Sequence, residues 1–234
     1  HHPYTKNVAP TQRDGHPDSL TMANISELGT LLDEIAAKTG KVASALPLFM
    51  TEYGFETNPP DPFSGVSWEL QAKYNTLGEY IAYNNPRIAS QAQFLLVDVP
   101  PVRSKPKRSK SYWFTYQSGL YTHRGQPKPS AYAYQLPFVV TPTGVDAAGA
   151  PTAHLWGQLR FRPAGQASNV TLQWKPDDRS TDWITVGDPV PADPARGYFE
   201  VDRAAPLPKT GVWRAVWLAP DGSIGVYALG TNAG

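Results

Sequence analysis

Glu52 stands where a chemical group needs an explanation. The stretch "FMTEYGFET", residues 49–57, runs an apolar pair into Thr51-Glu52-Tyr53-Gly54, so a carboxylate sits where an apolar strand ends and the chain turns. An ionised carboxylate beside apolar neighbours is costly unless it is paired, hydrogen-bonded or reached by water from an open end. Cysteine is absent, which removes disulfides, thiolate metal sites and Cys nucleophiles and leaves Glu, Asp, His and Tyr to carry any catalysis. No histidine or carboxylate recurs at ligand spacing, so neither a metal nor another cofactor is expected. Glu56, four residues beyond Glu52, reads as a loop residue or a substrate contact.

The elements that would position Glu52 lie in the first 140 residues or so of a 234-residue chain, a length that suits one large domain or two ordinary ones. Met22, Ile25, Leu28, Leu32, Ile35 and Ala36 recur at helical spacing between a cap at Asp18-Ser19 and a stop at Gly40. A short apolar strand, Leu46 to Met50, follows. A second helical stripe through Leu70, Tyr74, Leu77 and Ile81 spans about Ser67 to Asn84, and a second strand is expected from Ala92 to Val97. A last helix begins near Pro129, a residue suited to the first turn. Helix and strand alternating in this way is the α/β pattern of parallel strands joined by crossover helices. In the parallel α/β barrel, catalytic groups sit at the C-terminal ends of strands, the place Glu52 occupies.

Beyond Thr141 the text changes. Residues 141–151, within "TPTGVDAAGAPTA", read as a linker, and residues 152–234 as an all-β accessory domain of six short strands: "LWGQLRFR", "VTLQWKP", "WITVGD", "GYFEVDR", "VWRAVWLA" and "IGVYAL". Pro220-Asp221-Gly222 is the clearest hairpin turn. Alternation buries Trp174 and Trp213, while Trp183, next to Asp182, is the best placed of the β-half tryptophans to be exposed as a flat sugar platform.

"HPY" at the start, "TEYGF", and "QFLLVD…YWFTYQSGL…GQPKPSAYAYQLPFVV", in that order, resemble the C-terminal part of the clan A glycoside hydrolases, retaining enzymes built on the (β/α)₈ barrel. The resemblance covers roughly residues 1–140. It implies a partial (β/α)₈ TIM barrel, followed here by an immunoglobulin- or fibronectin-like β-sandwich, and a catalytic role for Glu52 as the nucleophile that ends the seventh strand. His2 and Tyr4 match the His-x-Tyr at the end of the sixth strand, whose Tyr hydrogen-bonds the nucleophile; His1 and His2 also fit the remains of a purification tag. Tyr53, Asp98, Trp113 and Gln117 join His2 and Tyr4 as expected substrate contacts. The family's eighth strand often supplies a sugar-stacking Trp, whereas "FLLVD" here has none and Trp113 follows only in the next loop.

The acid/base carboxyl of a retaining glycosidase, which this clan carries at the end of the fourth strand, is missing from such a remnant. The chain is therefore expected to be inactive alone and to need a partner chain or segment with about five further β/α units. Its substrate would be a glycan in a secreted or extracellular setting. The other reading left open is a non-catalytic carbohydrate-binding or scaffold protein with a degenerate remnant. A net charge of +1 gives no nucleic-acid footprint. The basic run "RSKPKRSK", residues 103–110, has no interleaved aromatic residue and reads as a solvated loop, or as a contact for an anionic sugar. No run of about 18 apolar residues exists to span a membrane.

Overall fold

The helical stripe that starts at Met22 is real. In the computed structural model, which describes residues 1–162, 165–177, 181–219, 222 and 225–233, a 3₁₀ turn at Met22–Asn24 leads into helix α1, Ile25–Thr39. The start lies at Thr21 rather than Asp18-Ser19, because the N–H and hydroxyl of Thr21 both donate to Asn24 Oδ1, at 2.9 and 3.3 Å. Gly40 ends α1 in the left-handed conformation (φ 63°) that a residue without Cβ adopts freely. Strand β1 is Leu48–Tyr53. Helix α2, Trp68–Tyr83, opens on Ser67, whose hydroxyl accepts the Leu70 N–H at 3.2 Å. Strand β2 (Ile88–Gln93) pairs in parallel with β1, and helix α3 is Pro129–Gln135. Eight further strands follow: β3 (Phe138–Val145), β4 (Pro151–Gln158), β5 (Ser168–Pro176), β6 (Ile184–Thr185), β7 (Val190–Ala192), β8 (Tyr198–Ala204), β9 (Gly211–Leu218) and β10 (Gly225–Leu229). A ninth, β11, is Thr231–Asn232.

This architecture corrects the expected fold class. The described residues are mostly β with three short helices, about 18% helical, and form several sheets. A partial (β/α)₈ barrel needs more helix, and more parallel pairing, than a two-stranded β1–β2 sheet supplies. The Ala92 to Val97 run does not form the expected strand either: β2 ends at Gln93, and Leu96 and Val97 are exposed. Among the described residues, no helix is long and apolar enough to cross a membrane.

Packing divides the chain into two compact units, His1–Ala131 and Tyr132–Gly234. The core of the first gathers Met22, Ile25, Leu48, Met50, Tyr53, Phe55 and Val66, with Tyr74 and Ile81 of α2 against it. Gly78 lets α2 approach closely, since a Cβ there would overlap the ring of the fully buried Tyr53. Gly78→Ala therefore gains about 1 kcal/mol of helix propensity but meets overpacking worth about 1–3 kcal/mol against a ring with nowhere to move. The expected outcome is net destabilisation, read as a lower urea midpoint; an unchanged or raised midpoint would show that the core yields.

In the second unit, a four-stranded sheet ordered β11-β3-β4-β8 and a five-stranded sheet built on β10-β9-β5-β6, with β7 also on β5, enclose one core. Phe138, Leu155 and Phe199 come from the first sheet, and Leu172, Trp174, Trp213 and Trp217 from the second. Trp174 and Trp213 are buried, as their alternation predicts. Trp183 is half-buried, with the Arg214 guanidinium 4.1 Å and the Lys175 ammonium 5.1 Å from its ring centre, so cations rather than open solvent cover that ring. The stretch read as a linker is a hairpin. Thr141 to Val145 belong to β3, and Asp146 Oδ1 accepts the Ala148 and Ala150 N–H groups, both at 2.9 Å, to turn the chain into β4. Of the expected Pro220-Asp221-Gly222 turn, Pro220 and Asp221 lie outside the described residues.

Candidate active site

Alternation along β1 would aim Glu52 into the core. Leu48 and Met50 point inward and are buried, Phe49 and Thr51 point outward and are exposed, so Glu52 is next in line to be buried. A bulge prevents this. Met50 opposes Gln91 and Tyr53 opposes Gln93, so β1 carries one extra residue between those pairs; Tyr53 takes the inward place and Glu52 is left at the partly exposed surface.

Two groups meet Glu52 there. The Tyr4 hydroxyl donates to Glu52 Oε2 at 3.1 Å, and His2 Nδ1 lies 3.2 Å from the same oxygen. His2 Nε2 is also 3.0 Å from Thr51 Oγ1, which fixes the imidazole between consecutive β1 side chains. The backbone brings these residues into reach: the His1 amino group donates to the Phe49 carbonyl at 3.0 Å and the Thr51 N–H to the His1 carbonyl at 3.3 Å, so the N-terminal residues run along β1. Burial raises the Tyr4 hydroxyl far above its ordinary pKa, and its hydrogen bond to Glu52 and the Glu52 charge raise it further. Tyr4 thus stays protonated as a donor at any physiological pH.

Aromatic rings extend from this pair. Tyr4 meets His2 edge to face at 6.4 Å and Phe94 at 6.3 Å, and Phe94 meets Tyr116 at 5.2 Å. Tyr116 is 57% exposed and Phe114, two residues before it, 88% exposed, so both rings face water. Sequence reasoning did not select Phe94 or Tyr116 as site residues. The signal lay in "QFLLVD" and "YWFTYQSGL", both noted, but Trp113 drew attention within them.

The other expected contacts lie elsewhere. Tyr53 is a core residue, edge to face with Phe55 at 5.6 Å, and burial raises its hydroxyl pKa strongly. Asp98 is fully buried: Lys128 Nζ donates to its Oδ1 at 2.8 Å and the Gly119 N–H at 2.9 Å. Gln117 is buried too; its carbonyl accepts from Lys128 Nζ at 2.9 Å and its amide donates to Thr115 Oγ1 at 2.6 Å. Trp113 is half-buried and packs on Tyr112 at 5.0 Å. These four hold the framework together, and the structure brings only His2 and Tyr4 of the expected contacts to Glu52. Glu56 is half-buried; burial and then the Asp61 charge raise its carboxyl pKa, while hydrogen bonds from Ser64 and the Gln117 backbone oppose the rise.

The basic loop is closed at its base by Val99 N–H to the Tyr116 carbonyl and Val102 N–H to the Tyr112 carbonyl, both 2.8 Å, and Arg103, Lys105, Lys107, Arg108 and Lys110 are all exposed at its tip. Among the described residues no group of three or more His, Cys, Asp or Glu side chains could hold a metal ion.

A carboxylate turned outward by a bulge thus meets a protonated phenol and a histidine, with the Phe94 and Tyr116 rings next along from Tyr4. No family model matches the chain and no curated protein matches it. Among solved structures, it is similar to a crystal structure named "putative beta-galactosidase" from Bacteroides fragilis, with a TM-score of 0.37 and 12% identity over 90% of this chain and 31% of that one. A likeness at that level carries no argument about chemistry, and the chain spans 31% of the length of that neighbour.

Proposed function

We propose that this chain supplies the nucleophile of a retaining glycoside hydrolase that cleaves O-glycosidic bonds in a glycan. The observation that supports it most is the outward placement of Glu52, with the Tyr4 hydroxyl 3.1 Å from Oε2. That bond holds one carboxylate oxygen and leaves Oε1 to attack the anomeric carbon. The glycosidic C–O bond breaks as a covalent glycosyl-Glu52 ester forms, and the leaving oxygen takes a proton from a carboxylic acid. Water then attacks the same carbon, giving its proton to the resulting carboxylate, and Glu52 departs ionised. His2 lines the approach, and Tyr116 with Phe94 offers the stacking surface.

The acid/base carboxyl belongs about 5–5.5 Å from Glu52 in a retaining site. In this reading it comes from a further segment or chain, which also covers the apolar side chains Phe49 (52% exposed) and Leu96 (64% exposed). The isolated chain is therefore expected to turn over no nitrophenyl glycoside, and hydrolysis with retained anomeric configuration appears only in the complemented enzyme. Inverted product would contradict the double displacement. In that enzyme Tyr4→Phe removes a charge-assisted hydrogen bond and is expected to lower kcat by about 10- to 100-fold. An unchanged kcat would separate Tyr4 from the chemistry.

A further inference from the structure

The exposed basic loop takes no part in the chemistry at Glu52. Residues 99–145 hold seven of the chain's 21 Lys and Arg and none of its 20 Asp and Glu, so a net charge of +1 conceals a basic segment set against an acidic remainder. Five of those seven, Arg103, Lys105, Lys107, Arg108 and Lys110, fall within eight residues. All five are exposed, and among the described residues none of their side chains makes an ion pair or a hydrogen bond. Like charges gathered on one loop repel, and the repulsion works against the fold until an opposite charge joins them.

Backbone hydrogen bonds fix the course of this loop. Inside the Val99–Tyr116 and Val102–Tyr112 closures, the Lys105 N–H donates to the Val102 carbonyl at 3.0 Å, the Ser109 N–H to the Pro106 carbonyl at 2.9 Å and the Tyr112 N–H to the Ser109 carbonyl at 3.1 Å. Ser109 Oγ donates to the Pro106 carbonyl at 2.7 Å as well. Pro100, Pro101 and Pro106 restrict the chain further. Cations carried on a fixed backbone lose less freedom on binding, and their spread along the loop favours an extended anion that meets several of them at once.

The neighbours of the cations select the kind of polyanion. Every residue from 103 to 111 is Arg, Lys, Ser or Pro, so the tip has no ring to stack between successive bases and no large apolar side chain to enter a bilayer. The rings come on the returning limb. The Trp113 N–H donates to the Lys110 carbonyl at 3.1 Å, and Phe114 follows with its ring open to water. We infer that residues 103–114 bind an anionic polysaccharide, a polymer whose sugar face stacks on Phe114 while its sulfate or carboxylate groups meet the ammonium and guanidinium groups of the tip. This binding needs no bond cleavage and does not rest on the role of Glu52.

The test is calorimetric titration of the full chain with dextran sulfate, alginate and uncharged dextran, alongside oligothymidylate and vesicles of phosphatidylserine and phosphatidylcholine. At least one of the two anionic polysaccharides is expected to bind, with an affinity that falls as salt is raised. Dextran, oligothymidylate and the vesicles are expected to bind more than about tenfold more weakly. Lys107→Gln combined with Arg108→Gln is expected to weaken polysaccharide binding by about tenfold or more, as losing charge-assisted contacts does. Phe114→Ala should weaken it by about threefold or more, the scale of a lost stacking contact. The melting temperature should be unchanged by Phe114→Ala and unchanged or raised by the charge variant, which relieves repulsion. No binding of either anionic polysaccharide, binding of dextran, oligothymidylate or vesicles within about tenfold of it, full-strength binding by either variant, or a lowered melting temperature in the charge variant would each overturn the assignment.

Discussion

Glu52→Gln, made in the complemented hydrolase, is expected to fold with an unchanged melting temperature and to lose kcat by about 10⁴- to 10⁶-fold, the scale on which removal of a covalent nucleophile acts. The two outcomes are separable because of where Glu52 sits. Its side chain is 34% exposed, so its charge is not holding a core together. Gln keeps the shape, and its amide oxygen still accepts the Tyr4 hydroxyl. What it loses is the anionic oxygen that bonds to the anomeric carbon. A variant with near-normal turnover ends the nucleophile assignment. A variant with a lowered melting temperature would show that the carboxylate is structural, held by His2 and Tyr4 for stability alone.

Lys128→Met is expected to destabilise the first unit by about 3–5 kcal/mol, the cost of leaving a buried charge without its partner. Lys128 and Asp98 side chains have no exposure, and Lys128 Nζ also donates to Thr57 Oγ1 at 3.0 Å and the Gln117 carbonyl at 2.9 Å. The one ammonium thus joins the chain at Thr57, Asp98 and Gln117. Burial pushes the Asp98 carboxyl up and the Lys128 ammonium down, and their mutual attraction opposes both shifts. With Lys128 gone, the Gly119 N–H and the His123 charge still lower the Asp98 carboxyl, but the largest opposition to the upward push of burial is lost. A carboxyl whose folded pKa is raised favours the folded state below its unfolded pKa, near 4, and that advantage is lost as pH rises through the folded value. The difference between wild type and variant in urea unfolding should therefore be larger at pH 7 than at pH 4. Asp98→Asn combined with Lys128→Met should recover part of the loss, because no charge is then stranded. Equal losses at both pH values, or additive losses in the double variant, would show that packing and not charge dominates there.

The helices were legible because a stripe such as Leu70, Tyr74, Leu77 and Ile81 is a local signal. The fold class was not, because parallel barrel strands and a lone β1–β2 pair share the same local text. What differs is which strands find neighbours, and the later strands pair chiefly as antiparallel ladders. The polar strand "IASQAQ" escaped notice since neither of its faces is strongly buried, whereas the apolar "FLLV" drew a strand it does not form. "TPTGVDAAGAPTA" read as a linker on composition, although its Asp146 and Gly149 supply turn chemistry for a hairpin. At the site, Glu52, Tyr4 and His2 were legible as types in order. The bulge was not, since one extra residue in a ladder is invisible until the partner strand is known. Asp98 and Gln117 read as substrate contacts in the sequence and lie buried in the structure, and Lys128, 30 positions from Asp98, has no local mark as their partner.

The central claim is that Glu52 forms a covalent bond to sugar. A 2-deoxy-2-fluoro glycoside with a dinitrophenolate leaving group forms that ester without help from the acid and slows its hydrolysis, so the intermediate accumulates. Incubated with the complemented enzyme and digested, it is expected to add one fluoroglycosyl mass to the peptide containing residues 49–57, on Glu52, with Glu52→Gln remaining unlabelled. Label on another carboxylate, or rapid turnover with no adduct and inverted product, would contradict the account.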